Sequence, residues 1–148
     1  MGQSTDAILW YGYAWTNEGA PPWAKYNEDE ERIDDGEQDE DDEDARFARV
    51  SGFTEKWTEG AGRDYFKRRN AVTETATCEI VHHCSGDCTM YGVAVRGSRK
   101  TAWRGSPVPD PFGEAQPEWN AQLASYCALM GIDPSDQKPR WWLASMWS

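Results

Sequence analysis

Between Glu28 and Asp44 the chain carries thirteen carboxylates in seventeen positions, and only Arg32 opposes them. Like charges at this density repel one another and bury no apolar surface. The segment is therefore expected outside any core, as an acidic insertion loop over 27–45. The whole chain has 26 acids and 15 bases. Outside the segment 13 acids face 14 bases, so the remainder is nearly neutral. That remainder must fold without the block. Hydrophobic residues are 39% of the chain, a low share for a compact domain, but nine are tryptophan. Each buried aromatic removes about 150–250 Å² from water, so a core of few, large side chains is expected. A length of 148 residues fits one domain, 1–148.

Ala7 to Trp15 is aromatic and apolar on both faces, which predicts a central strand with Gly12 at a close backbone approach or a bulge. Arg63 to Ala71 predicts a short helix with Tyr65, Phe66 and Val72 inward and Lys67, Arg68 and Arg69 outward. Thr77 to Cys84 and Cys88 to Val95 predict a β-hairpin over a three-residue turn, Ser85 to Asp87. Residues 97–113, with three prolines and three glycines, read as a loop. Glu118 to Met130 predicts the best-marked helix. Pro117 suits its start, Trp119, Leu123, Tyr126, Cys127 and Met130 recur on one face, and Gly131 supplies a left-handed cap. Arg140 to Trp147 predicts a last strand tied into the sheet. The sum is an α+β fold: a mainly antiparallel sheet, about two helices on one face, and the acidic insertion after the first strand.

Three strings carry a resemblance. They are Gly2 to Trp15, His83 to Cys88, and the ending from Met130 to Ile132 and Pro139 to Leu143. Together they resemble a family of small proteins encoded by tailed bacteriophages, in which an acidic segment after the first strand is also typical. The resemblance implies a phage origin, and with neither an apolar span nor a basic-then-apolar leader in the sequence the host cytoplasm is the expected place of action. It assigns no catalytic residue.

The block itself admits several readings. As a solvated loop it keeps a Trp-rich protein soluble. As a mimic of nucleic acid, its carboxylates Glu28, Asp29, Glu30, Glu31, Asp34, Asp35, Glu37, Asp39, Glu40, Asp41, Asp42, Glu43 and Asp44 would occupy a groove built for phosphates. B-DNA carries about one charge per 1.7 Å of axis, and this run is comparably dense. Shape-dependent mimicry spreads its charge over folded elements, whereas this run is contiguous and holds one aliphatic residue, Ile33. Calcium fits poorly, because Asp34 to Asp39 lacks the spacing of an EF-hand loop. Internal neutralisation by Lys67, Arg68, Arg69, Arg96, Arg99, Lys100 and Arg104 is a further reading. A formal net charge of −11 opposes direct nucleic-acid binding by those bases. Trp23, Trp57 and Trp103 fall in expected loops and are the candidate anchors for a partner.

Cys78, His82, His83, Cys84 and Cys88 lie within eleven residues. Their spacing does not match paired zinc knuckles. On a regular hairpin Cys84 would face Cys88 with His82 on the same side, and Cys127 could complete a structural zinc site: His82, Cys84, Cys88 and Cys127. Buried thiols are the plain alternative, and a Cys84–Cys88 disulfide a third. A cysteine nucleophile paired with His82 has no supporting motif, nor is there a nucleotide-binding glycine loop, G-x-S-x-G or H-E-x-x-H.

No cofactor beyond that possible zinc, no direct nucleic-acid partner and no membrane span is expected. No run approaches the roughly 18–20 apolar residues a span needs, and a basic-then-apolar leader is missing from the start. The sequence thus points to a non-enzymatic phage accessory protein that binds a host nucleic-acid-handling or defence protein with a basic surface. The alternative is a small metal-stabilised structural protein whose acidic loop is a solubiliser.

Overall fold

Strand β1, Thr5–Ala14, pairs with three others, and this one strand organises the fold. The structure is a computed structural model that describes residues 5–16, 20–24, 29, 39–134 and 137–147. Along one edge β1 runs antiparallel to β5, Arg140–Trp147, from Thr5 opposite Trp147 to Gly12 opposite Arg140. Its other edge is shared. Ala7 to Leu9 pair with the short β4, Lys100–Ala102, and Gly12 to Ala14 pair with β3, Thr89–Val95. Ser98, in the single 3-10 turn Arg96–Ser98 between those partners, bridges the change-over. Its buried Oγ accepts from the Tyr11 amide (2.9 Å) and donates to the Val95 carbonyl (2.6 Å).

The remaining pairings close the sheet on itself. β3 is antiparallel to β2, Cys78–Ser85, and β2 is parallel to β5 at Cys84–Met146 and Ser85–Trp147. The strands β1, β3, β2 and β5 therefore form a ring, with β4 outside it. Alternation along the strands gives the ring an inside and an outside. Ile8, Trp10, Val81 and Ala94 are buried within, packed with Ala14, Trp142, Ala144 and Met146. Tyr11, Tyr13, Cys78, Val93 and Val95 face the helical layer outside.

Helix α3, Trp119–Met130, covers that outer face with Leu123, Tyr126, Cys127 and Met130. Burying side chains of this size contributes about 1.5–3 kcal/mol each. Gly131 ends the helix at φ +69, and the Ile132 amide returns to the Cys127 carbonyl (2.8 Å), the expected left-handed cap. Helix α2, Gly62–Thr75, is longer than the predicted 63–71 and buries Tyr65. Phe66, expected inward, is 52% exposed. The helix seats one narrow edge, and a neighbouring residue lies about 100° round it. A third helix, α1, Asp39–Ser51, lies where the sequence predicts a loop up to position 45. The α+β class, the mainly antiparallel sheet and both predicted helices hold. The 97–113 loop contains the unforeseen 3-10 turn and β4.

The ring is narrow, and glycine makes room in it. A Cβ on Gly92 would meet Trp10 Cζ2 at 2.8 Å, and one on Gly12 (φ +154) would overlap the Val93 carbonyl. Trp10 donates to the Tyr13 carbonyl (3.0 Å) and Trp142 to the Gly12 carbonyl (2.9 Å). Gly12→Ala should destabilise the fold by about 3 kcal/mol or more, since backbone must move apart. Thermal melting checks this; an unchanged melting temperature would contradict the close approach.

Candidate functional site

Six acidic residues in succession, 39–44, open α1. Negative residues near a helix N-terminus favour it by about 0.3–1 kcal/mol each. Like charges three or four apart oppose it by comparable amounts. The two effects nearly cancel, so tertiary contacts decide whether this helix forms. Those contacts come from its second half. The Arg46 guanidinium donates to the Met130 carbonyl at the end of α3 and stacks over the Trp23 ring (5.3 Å). Phe47 meets Phe53, and Phe53 meets Tyr65 of α2, at 6.2 and 5.8 Å. Arg69 of α2 lies over the Phe47 ring (4.6 Å) while pairing with Asp44 (3.0 Å). Gly52, at φ +76, ends the helix, its amide on the Ala48 carbonyl (2.8 Å).

The end of the acidic segment is thus a helix held to α2 and α3 by two arginines. A hydrogen bond to a charged group contributes about 1.5–3 kcal/mol, which makes Arg46 the stronger tie. The half-exposed Arg69–Asp44 pair contributes at most about 1 kcal/mol. One of the basic groups predicted to neutralise the block, Arg69, does so. Its neighbour Arg68 instead pairs with Glu55, and that hydrogen bond holds the Glu55 carboxyl below its usual range. Arg99 pairs with Glu79 (3.2 Å).

The other candidate residues are dispersed. Asp29 lies exposed in a turn, whereas Glu28, Glu30, Glu31, Asp34, Asp35 and Glu37 lie outside the described residues. Asp39, Glu40, Asp41, Asp42 and Glu43 are placed on α1 by backbone. Trp57, in the loop from α1 to α2, is 56% exposed, and Trp103, just after β4, is 63% exposed. Trp23 corrects the sequence reading: it is buried in the outer core, under Arg46. Arg46 itself went unrecognised in the sequence. Its signal was available, since Phe47 and Val50 stand at helical spacing just after the carboxylates.

The cysteine and histidine group does not assemble as a regular hairpin would have it. Cys84 pairs with Thr89, so the turn has four residues and Cys88 is an exposed member of it. Cys84 adopts φ +74, which takes it out of the strand's alternation. His82 lies edge-on to Tyr91 (5.0 Å) on the outer face, and His83 packs on Trp10 (5.5 Å). Cys78 and Cys127 are buried in the outer core, where burial pushes their thiols up to about 11 and about 12. Among the described residues no three His, Cys, Asp or Glu side chains gather as a metal site, so His82, Cys84, Cys88 and Cys127 are not brought together. None of the described helices is long and apolar enough to cross a membrane.

No family model, curated protein or solved structure matches the chain.

Arg69→Ala should loosen α1 by about 1 kcal/mol, giving roughly fivefold faster amide exchange over 39–51 while the sheet is unaffected. Equal exchange in both proteins would assign the helix's stability to Arg46 alone. Burial holds the His83 imidazole below its ordinary value of 6.5. The unfolded chain then takes up a proton that the folded chain refuses. Stability present above about pH 6.5 should decline as the pH falls below that value. His83→Leu should flatten that part of the profile in urea melts; parallel profiles would rule His83 out as the cause.

Proposed function

We propose that the chain is a non-enzymatic accessory protein of phage origin that binds a host nucleic-acid-handling or defence protein through its acidic segment. The observation that supports this most is the placement of residues 39–44 on α1. At a rise of about 1.5 Å per residue, six consecutive acidic residues occupy about 9 Å of helix axis. That is close to the one charge per about 1.7 Å of a DNA duplex. A helix already held by Arg46 and Arg69 does not have to be ordered when the partner arrives, which removes a cost that a free acidic tail would carry.

The remaining features fit this reading. Dense negative charge raises association rates with a basic groove more than it raises affinity. Trp57, 56% exposed and in the loop that follows α1, would supply an anchor that is buried on binding. Trp103 would serve in the same way from the β4 side of the sheet. The resemblance of the chain's ends and hairpin to small tailed-phage proteins supplies the host setting. Trp23, part of the core, has no role in this surface.

The test uses a variant with Asp39, Asp41 and Asp42 changed to Asn and Glu40 and Glu43 to Gln. Asp44 is kept, so the tie to Arg69 survives. The native chain should capture a nucleic-acid-binding host protein at about 0.1 M salt and release it to higher salt or to added duplex DNA. The variant should capture at least about 10-fold less, equivalent to about 1.4 kcal/mol. Undiminished capture by the variant, or capture indifferent to duplex DNA, would remove the proposal.

A further inference from the structure

We propose that Cys84 and Cys88 form a reversible dithiol–disulfide site that closes over the Ser85–Asp87 turn by exchange with a low-molecular-weight disulfide, and that its redox state sets how firmly the ring is closed. The two thiols stand at the hairpin end, Cys88 exposed and Cys84 half-buried. The turn draws its ends together: Ser85 Oγ accepts from the Cys88 amide (3.0 Å), and Thr89 Oγ1 donates to the Ser85 carbonyl (3.2 Å). Thr89 is the cross-strand partner of Cys84. Paired Cα atoms are about 4.5–5.5 Å apart and adjacent ones about 3.8 Å, so a right-angled step puts Cys84 and Cys88 about 6 Å apart. A disulfide spans Cα atoms about 4.4–6.8 Å apart.

Cys84 is also held at a left-handed backbone angle that a non-glycine residue rarely adopts. A regular strand would turn adjacent positions to opposite faces, and the left-handed angle at Cys84 interrupts that rule. Cys78 and Cys127, by contrast, are buried and their thiolate forms disfavoured. Exchange selects the accessible thiols.

The exchange balances in two steps. The Cys88 thiolate attacks one sulfur of the small disulfide, forming a mixed disulfide and releasing one small thiolate. The Cys84 thiolate then attacks the Cys88 sulfur and releases the second. Two protein thiols are oxidised by two electrons, and one small disulfide is reduced to two thiols. The protons leave with the products.

The location gives the exchange a structural consequence. Among the described residues, β2 and β5 are paired only at Cys84–Met146 and Ser85–Trp147. A bond pulling Cys84 toward Cys88 acts on the seam of the ring with the fewest paired positions among the described residues.

The experiment equilibrates the full chain in glutathione buffers of graded disulfide content, then alkylates and maps the peptides. The expected result is joint loss of the two alkylatable thiols of Cys84 and Cys88, with a crosslink between them that excess dithiothreitol reverses. Cys88→Ser should instead stop at a glutathione mixed disulfide on Cys84. Separate glutathione adducts on both cysteines of the native chain, or two thiols that stay alkylatable throughout, would overturn the site. Amide exchange over 140–147 should differ several-fold between oxidised and reduced protein. Identical exchange would overturn the link to ring closure.

Discussion

The Trp10 indole sets the cross-section of the ring. A four-stranded ring encloses little volume, and the Trp10 indole with Ile8, Val81 and Ala94, packed against Trp142, Met146, Ala14 and Ala144, fills it. Gly92 stands against the indole, and Gly12 against the Val93 carbonyl, because no Cβ fits at either place. The indole N–H is satisfied locally by the Tyr13 carbonyl, so the interior needs no water or second polar group for it. His83, the polar side chain that does enter, lies against the same indole with its Nε2 buried and without a hydrogen-bond partner among the described residues. A larger ring would need a larger filling, and a smaller one would expel the indole. The odd partition of β1 between β3 and β4, bridged by Ser98, follows from the same tight curvature.

Around that ring the helices form a single outer layer with a gradient of dependence. α3 is held by its own apolar face and a left-handed cap. α2 holds by Tyr65 and a few polar contacts. α1 carries the least favourable sequence and is held by ties from its neighbours. Arg46 joins it to the carbonyl end of α3, where a cation also meets the negative end of that helix.

Much of this was legible in the chain. Gly12, Gly131 and the helical recurrence from Trp119 to Met130 each carry a local physical demand that any fold must meet, and each was met as read. The strand over 140–147 was equally plain from its apolar, aromatic run. What escaped was decided at long range. Nothing local marks Lys100 to Ala102 as a strand; its pairing comes from β1, more than ninety residues away. Charge repulsion argued against a helix at 39–44, and the groups that overrule it, Arg69 of α2 and the Met130 carbonyl of α3, lie far away in sequence. Trp23 looked like a surface anchor because its flanks, prolines and a charge run, resemble a loop. Its burial depends on Arg46 covering it. The Cys84–Cys88 register slipped by one position because a left-handed residue within the strand leaves no mark in the sequence.

The pairing of Thr5 with Trp147 has a kinetic meaning. Contacts between strands so far apart in sequence form only after the later strand has been synthesised, and such non-local pairings slow folding. Until β5 leaves the ribosome, Trp10 and the apolar face of β1 have no complete enclosure. During that interval the acidic run, which follows β1 in sequence, has already been synthesised, and its charge opposes association between nascent chains.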